Sequence, residues 1–253
     1  MNNADPTACV LVIGDEILSG RTQDANVAFF GQQLAAMGIR LKECRIIPDV
    51  PQVIVDTLNA VRQTHTYVFT TGGIGPTHDD ITTDCVAAAF GRKVVRHPAV
   101  EKALTAYYGD RTNDARLRMA NVPDGPDVAL IENHISVAPG YRIENVFVMA
   151  GVPSVARAMF EAVAPHLQKG APVYSQSVDA HVREGDIAAA LERIQNAHPG
   201  VSVGSYPFMR HDKLGTSIVA RGTDKAAIAS AIQQVGAVMR ALGEEPVFGP
   251  TPT

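Results

Sequence analysis

The amino-acid sequence predicts an α/β protein: a three-layer, parallel-rich sheet with helices on both faces, followed by a small α+β domain. Three observations predict it. Short apolar runs alternate with amphipathic segments over residues 8–167, and strand–helix alternation gives a parallel sheet covered on both faces. The polar and glycine-rich stretches fall directly after apolar runs, where such sheets place their ligands. The chain changes character at Gln168–Pro172 (QKGAP), and the remainder reads as a β-α-β-β-α unit of ordinary small-domain size.

Ala8–Ile13 (ACVLVI) is a buried-strand pattern. Asn26–Met37 repeats Val27, Phe30, Leu34 and Met37 at helical spacing, and Gly38 ends it. Ile39–Ile47 reads as a second strand. Pro51–Gln63 opens on a first-turn proline and repeats Val53, Ile54, Leu58 and Val61 as a helix. Tyr67–Thr70 is a third strand, Ile81–Phe90 a helix, and Pro98–Tyr108 and Ala115–Ala120 further helices. Val128–Ile131 and Val146–Met149 read as strands and Ser154–Leu167 as a helix. The first domain is therefore expected over 1–169. Beyond it, Val173–His181, Val201–Tyr206 and Thr216–Arg221 read as strands, and Glu184–Asn196 and Asp224–Leu242 as helices. Thr223 or Asp224 is the N-cap of the last helix. The second domain is expected over 170–245. Glu244–Thr253, with Pro246, Pro250 and Pro252, is expected to fray, leaving 246–253 as a tail.

Composition narrows the function. The 253 residues are 46% hydrophobic and 19% charged, as in ordinary globular proteins, and 22 basic against 26 acidic side chains give a net charge of −4. That balance argues against nucleic acid or a membrane surface as partner, since both favour a basic excess. No apolar stretch approaches the ~20 residues that span a bilayer. The N-terminus reads as a first strand and not a signal peptide, so a cytoplasmic protein is expected. Cys9, Cys44 and Cys85 form no paired motif. They are expected to be reduced core thiols, not a zinc site.

The segment Thr70–Asp84, TTGGIGPTHDDITTD, carries the chemistry. Gly72, Gly73 and Gly75 follow a strand directly; glycines there let backbone N–H groups approach an anion and allow positive φ. Thr70, Thr71 and Thr77 add hydroxyls, and the next helix points its N-terminus at the loop. Asp79 and Asp80 would repel a phosphate unless a cation lay between, which implies a divalent metal (magnesium, manganese or cobalt) on hard oxygen ligands. Asp80 is the candidate ligand and catalytic residue. Asp79 is equally a helix cap or a solvated residue. Asp84 is expected one turn along the helix from Asp80, where it could orient Asp80 or bind the metal. His78 sits in the loop but reads as a surface imidazole.

Other loops leave strand ends too. Gly14-Asp15-Glu16-Ile17-Leu18-Ser19-Gly20 offers Gly14 and Asp15 for ligand contacts and Glu16 for metal, against an ordinary solvated loop. Asp24 and Asn26 are expected to cap the next helix. Asp49, after the second strand, is a second catalytic candidate: an acid there reads a ribose or base, with helix capping as the competing role. Gly151 follows Val146–Met149 and could form another wall. No GxxxxGK[ST] motif is present, nor a GxGxxG after the first strand, which argues against P-loop enzymes and dinucleotide redox chemistry.

GDEILSG at Gly14–Gly20, Pro48-Asp49, TTGGIGPTHDDITTD, Ala138-Pro139-Gly140 and Ala150–Phe160 (AGVPSVARAMF) together resemble the MoaB/Mog-like molybdopterin-binding domain family. They are most similar to the N-terminal part of the CinA proteins. Gly204-Ser205-Tyr206-Pro207 and Gly215–Asp224 resemble the small middle domain of the same proteins. The resemblance implies either molybdopterin binding with adenylyl transfer, or metal-dependent cleavage of a nucleotide pyrophosphate such as ADP-ribose or FAD. It also implies a homo-oligomer whose ligand is a nucleotide or pterin phosphate. This sequence departs from the pattern in three places. It stops at residue 253, so the family's C-terminal amidase activity is not carried over. Asp79 stands where Mog-type adenylyltransferases have arginine, which favours the pyrophosphatase chemistry. Ser136-Val137 replaces a Gly-Thr pair and removes a hydroxyl from one wall of the site. A binding-only scaffold is the remaining alternative.

Overall fold

A computed structural model describes residues 5–210 and 212–250. They fall into two compact units. One runs to Leu34 and then over Gly38–Gly170; the other comprises Ala35–Met37 and the residues from Ala171 onward. Residues 1–4 and 251–253, which the readings of both termini include, lie outside the described residues. No helix among the described residues is long and apolar enough to cross a membrane.

The first unit begins β1 (Thr7–Ile13), α1 (Asp15–Leu18), α2 (Asn26–Ala36), β2 (Arg40–Ile47), α3 (Pro51–Thr64), β3 (Tyr67–Thr71) and α4 (Thr82–Ala89). It continues through β4 (Val94–Arg96), α5 (Pro98–Tyr108), α6 (Asp114–Leu117), β5 (Asn121–Pro123), β6 (Ala129–Ile131), β7 (Gly140–Ile143), β8 (Val146–Met149) and α7 (Pro153–Val163). One six-stranded sheet has the order β2-β1-β3-β8-β7-β6. Its first four strands are parallel, and β7 and β6 are added antiparallel. β1 is buried almost throughout, as a central parallel strand should be.

Side-chain alternation sends the sheet's apolar residues into two cores. On one face Phe69 of β3 stacks on Phe30 of α2 at 5.5 Å and meets Phe160 of α7 at 5.6 Å. On the other, Ile54, Leu58 and Val61 of α3 join Leu11, Ile13, Val68 and Val148. These are the three layers that the sequence predicts. From β1 the chain moves outward to β2 and then crosses back to β3 on the other side. Strand order therefore reverses between β1 and β3, and the crevice at their C-terminal ends is the natural ligand position.

The second unit contains β9 (Tyr174–Ala180), α8 (Glu184–Ala197), β10 (Ser202–Arg210), β11 (Lys213–Gly222), α9 (Lys225–Ala241) and β12 (Val247–Phe248). Its antiparallel sheet has the order β10-β11-β9-β12. Ile187 and Ile194 of α8 and Ile228, Ile232 and Met239 of α9 pack on the face carrying Val178 and Ile218. Asp224, not Thr223, caps α9, accepting the N–H groups of Ala226 and Ala227 at 2.8 and 3.2 Å. Asp224→Ala is expected to cost about 1 kcal/mol, measurable as a lower chemical-denaturation midpoint for this unit.

Several local readings are corrected. The expected tail is not frayed up to residue 250: β12 pairs with β9, and Gly249 N–H donates to Ser177 O at 2.8 Å. Phe248 anchors it, because Gly236 of α9 lacks a side chain; a Cβ there would lie 2.6 Å from the Phe248 ring. β10 runs through Pro207 to Arg210. It is an edge strand, and Val203 N–H already turns away from the ladder to Gln195 Oε1 at 2.9 Å. Pro207 shares that outward phase, so its missing N–H breaks no ladder bond. The one-turn α1 and the short strands β4, β5 and β7 escape periodicity because three or four residues hold no full period. Ala115–Ala120 is helical only through Leu117 and closes as a 3-10 turn, Arg118–Ala120. Cys9 and Cys85 are buried, but Cys44 is exposed, since it lies on the outward phase of edge strand β2.

Candidate functional site

The loops leaving β1, β2, β3 and β8 meet through direct contacts. Gly72 stands so close to β1 that a Cβ would lie 2.1 Å from the Ile13 carbonyl oxygen, and its φ is +105°. Only glycine fits such a position. Gly72 N–H donates to Met149 O at 3.2 Å, and the Cβ position of Gly151 is 3.3 Å from Gly72 Cα. Asp15 N–H donates to Asp49 Oδ2 at 3.0 Å, and Gly14 N–H donates to Ile47 O at 3.1 Å. The structure thus places Gly14, Asp15, Asp49, Gly72 and Gly151 at one end of the sheet.

α4 holds the glycine loop from below. Thr82 is fully buried; its hydroxyl donates to Gly72 O at 2.9 Å and its N–H to Gly73 O at 3.0 Å. The N–H groups of Gly73 and Gly75 donate to no protein acceptor among the described residues. These are the donors an anion can reach. Asp80 turns back into its own loop: Oδ2 accepts the Thr77 N–H at 2.7 Å and also the Thr77 hydroxyl. Gly75 leaves room for this, since a Cβ would lie 2.7 Å from that oxygen.

Thr70 and Thr71 both belong to the strand. β3 continues through both, leaving them 0% and 1% exposed with hydroxyls unpartnered among the described residues. Buried hydroxyls of this kind are costly. Asp80 also precedes α4, whose first residue is Thr82. The expected one-turn helical relation between Asp80 and Asp84 therefore does not form, and Asp84 is exposed in the first helical turn. Among the described residues no group of three His, Cys, Asp or Glu is placed to hold a metal ion. Asp80, Glu16 and Asp84 are accordingly not a ready ligand set: Asp80 serves its own loop, and Glu16 folds over Gly14, where a Cβ would meet Glu16 Oε2 at 2.6 Å. His78 is almost wholly exposed.

Charge is concentrated beside the loop. Asp49 is pushed above the ordinary carboxylate value, first by burial and then by the negative charges of Asp15, Glu16 and Asp79; the Asp15 amide partly offsets this. Four carboxylates therefore share one electrostatic neighbourhood next to the free loop N–H groups.

Three contributors escape the sequence reading. Asn26 does not cap α2; Asp24 does, accepting Val27 N–H at 2.8 Å. Asn26 is buried and its amide donates to Gly151 O at 2.9 Å. Its helical spacing to the buried Phe30 places it on the inward face, a signal available in the sequence. Thr82 is similarly in phase with buried Cys85 and Val86. Arg118 donates to Asp80 O at 3.3 Å across 38 residues of chain, and no local pattern announces that. A separate half-open cleft of about 200 Å³ lies between α5 and residues 130–139, lined by no residue of the glycine loop.

The family described as "Probable molybdopterin binding domain" matches residues 9–169, and that described as "FAD synthase, middle domain" matches residues 172–244. A protein of Archaeoglobus fulgidus is 31% identical over 225 residues, covering 89% of this chain and 94% of the relative. A CinA-like protein of Desulfosudis oleivorans is 34% identical over 209 residues, covering 77% of this chain but only 50% of that longer protein. Among solved structures, the protein CinA of unknown function from Thermoplasma acidophilum is similar at a TM-score of 0.60 and 29% identity, covering 64% of this chain and 98% of that one.

Proposed function

The chain belongs to the MoaB/Mog-like family of molybdopterin-binding domains, and from that premise we propose that it binds a nucleotide phosphate at Gly72–Gly75 and hydrolyses a nucleotide pyrophosphate of the ADP-ribose or FAD class. One observation carries this reading: free N–H donors at Gly73 and Gly75 share their loop with Asp79, one of the acids that, after burial, help to lift Asp49. A phosphate in that cradle calls for a cation between it and the acids. Carboxylate oxygens suit a hard divalent ion, although the described residues present no group of three placed to hold one. Fewer than three protein ligands is acceptable where substrate phosphates complete the shell. Glu16 and the uncommitted oxygen of Asp80 would hold the ion. When bound, it polarises the diphosphate oxygens.

The remaining steps belong to the chain. The Gly73 and Gly75 N–H groups hold the non-bridging oxygens, where charge builds up as the reaction proceeds. Asp49 Oδ2 is fixed by the Asp15 amide, which leaves Oδ1 to accept a proton from an attacking water. A water oxygen–phosphorus bond forms and the bridging phosphorus–oxygen bond breaks. The bridging oxygen leaves on the second phosphate, giving two monophosphates.

The family description favours a second reading, in which the loop holds the phosphate of molybdopterin, with adenylyl transfer as the associated reaction. The two readings separate in one experiment. Purified protein with magnesium, manganese or cobalt is incubated with ADP-ribose and with FAD, and AMP release is followed. The pyrophosphatase reading expects AMP from at least one substrate, dependent on the metal. No AMP with any metal, together with tight molybdopterin binding in an anaerobic titration, would replace it with the second reading.

A further inference from the structure

We propose that β2 is the contact surface of a two-fold homodimer, in which the edge strands of two copies pair antiparallel about Cys44 and join two six-stranded sheets into one. The resemblance to the CinA proteins leaves the surface, symmetry and register of an oligomer open; the edge strand supplies all three. The sheet ends in β6 on one side and β2 on the other. β6 has three residues, and so short an edge is one way of blunting strand pairing. β2 has eight. Ile47 O accepts the Gly14 N–H, so Ile47, Arg45 and Glu43 turn their backbone groups inward to β1, while Cys44 and Ile46 turn theirs outward. Those outward groups make no loop or cap hydrogen bond among the described residues. Four apolar side chains are exposed around the C-terminal half of the strand: Ile46 itself, Leu18 of α1, which packs beside β2, and Val50 and Val53 where α3 begins.

Symmetry and charge choose the register. Residues directly opposite in an antiparallel pair share a face. A two-fold axis normal to the sheet keeps each face in place, so one residue must lie opposite its own copy. Centring on Glu43 sets two glutamates together, and centring on Arg45 or Lys42 sets two cations together; like charges directly opposite are destabilising. Centring on Ile46 sets Cys44 against Pro48, which has no N–H to give. Centring on Cys44 sets Glu43 against the partner's Arg45, and Arg45 against the partner's Glu43. Within one chain Arg45 Nε already lies 2.6 Å from Glu43 Oε1, so the dimer closes a ring of four charges of alternating sign. On the other face Lys42 lies opposite the partner's Ile46, and its aliphatic stem covers that exposed side chain. Cys44 meets its own copy through two backbone hydrogen bonds, with Cα atoms ~5.5 Å apart.

Antiparallel pairing turns the C-terminal ends of the two sheets, and with them the two glycine loops, to opposite ends of the joined sheet. Asp49 stands just past the end of β2, so the interface braces the strand that leads to it. No residue of the glycine loop belongs to the interface, which is independent of what that loop binds.

The test uses the full chain. Under reducing conditions at micromolar concentration, light scattering is expected to give the mass of two chains. Glu43→Arg and Arg45→Glu each set like charges across the axis twice, and each should weaken the dimer at least about tenfold. The double exchange, Glu43→Arg with Arg45→Glu, restores opposite charges and should restore the dimer. Both side chains are partly exposed, so circular dichroism should show every variant folded. A role confined to the pair within one chain would move the melting temperature and leave the mass unchanged. Mild oxidation should link Cys44 to its copy, since disulfides span Cα separations of ~4.4–6.8 Å and Cys9 and Cys85 are buried. Cys44→Ser should abolish the link and keep the mass. A chain that stays monomeric, or a dimer that neither single exchange weakens, would overturn the interface. So would a dimer that the double exchange fails to restore, or one that oxidation leaves unlinked.

Discussion

Gly72→Ala is expected to destabilise the first unit by about 2–5 kcal/mol, joining backbone strain of ~1–3 kcal/mol at positive φ to a similar overpacking cost. The added Cβ would lie 2.1 Å from the Ile13 carbonyl oxygen. That oxygen belongs to the central strand of the sheet and cannot rotate aside as a side-chain end would. Relief requires β1 and β3 to separate at their C-terminal ends, where the loops converge. At ~2–4 °C per kcal/mol for a unit of this size, the melting temperature should fall by roughly 5–15 °C. Phosphate binding should go with it, because the Gly73 and Gly75 N–H groups would move with the loop. Gly20→Ala is the matched control: φ is +72° there too, but nothing lies within 4 Å of the new Cβ. It should cost only the strain of the backbone and leave binding intact. If the two variants melt together, the close approach to Ile13 is not what fixes the loop.

The contrast shows what the sequence discloses and what it withholds. The strand-then-glycine order at Tyr67–Gly75 is legible because a parallel sheet must bury a continuous apolar run and then turn at once. The same logic gives the three layers and the ligand edge of the sheet. Thr71 misleads because a threonine beside glycines looks like loop, and only the pairing of β3 with β1 and β8 reveals that the strand runs one residue past Thr70. Asp80 misleads for a related reason. Two adjacent acids look like metal ligands, but Pro76-Thr77 folds a turn in which Asp80 is the acceptor. Arg118 and the cleft are illegible, since each joins segments that the linear order separates widely. β12 is missed because two residues anchored by one phenylalanine leave no periodic trace.

Asp49→Asn should lower pyrophosphate turnover by about 10²–10⁴, the usual contribution of a positioned general base, while raising thermal stability at neutral pH. Both effects have one origin. Burial and the charges of Asp15, Glu16 and Asp79 lift Asp49 above the ordinary carboxylate value, so the folded state binds its proton more tightly than the unfolded state does. Stability attached to this group is present below the unfolded value and is lost as pH rises through the folded one. At neutral pH the ionised carboxylate is therefore a net cost, which the neutral amide removes while still accepting the Asp15 N–H. The stabilisation of the variant should fade as pH falls toward the ordinary carboxylate range, where wild type is protonated as well. A divalent cation among these acids reverses their repulsion, so added manganese should raise the wild-type melting temperature more than that of Asp49→Asn. Equal manganese shifts in the two proteins, or a variant less stable than wild type at pH 7, would mean that Asp49 does not sit in the field of the ion, and the base would have to be sought elsewhere on the loop.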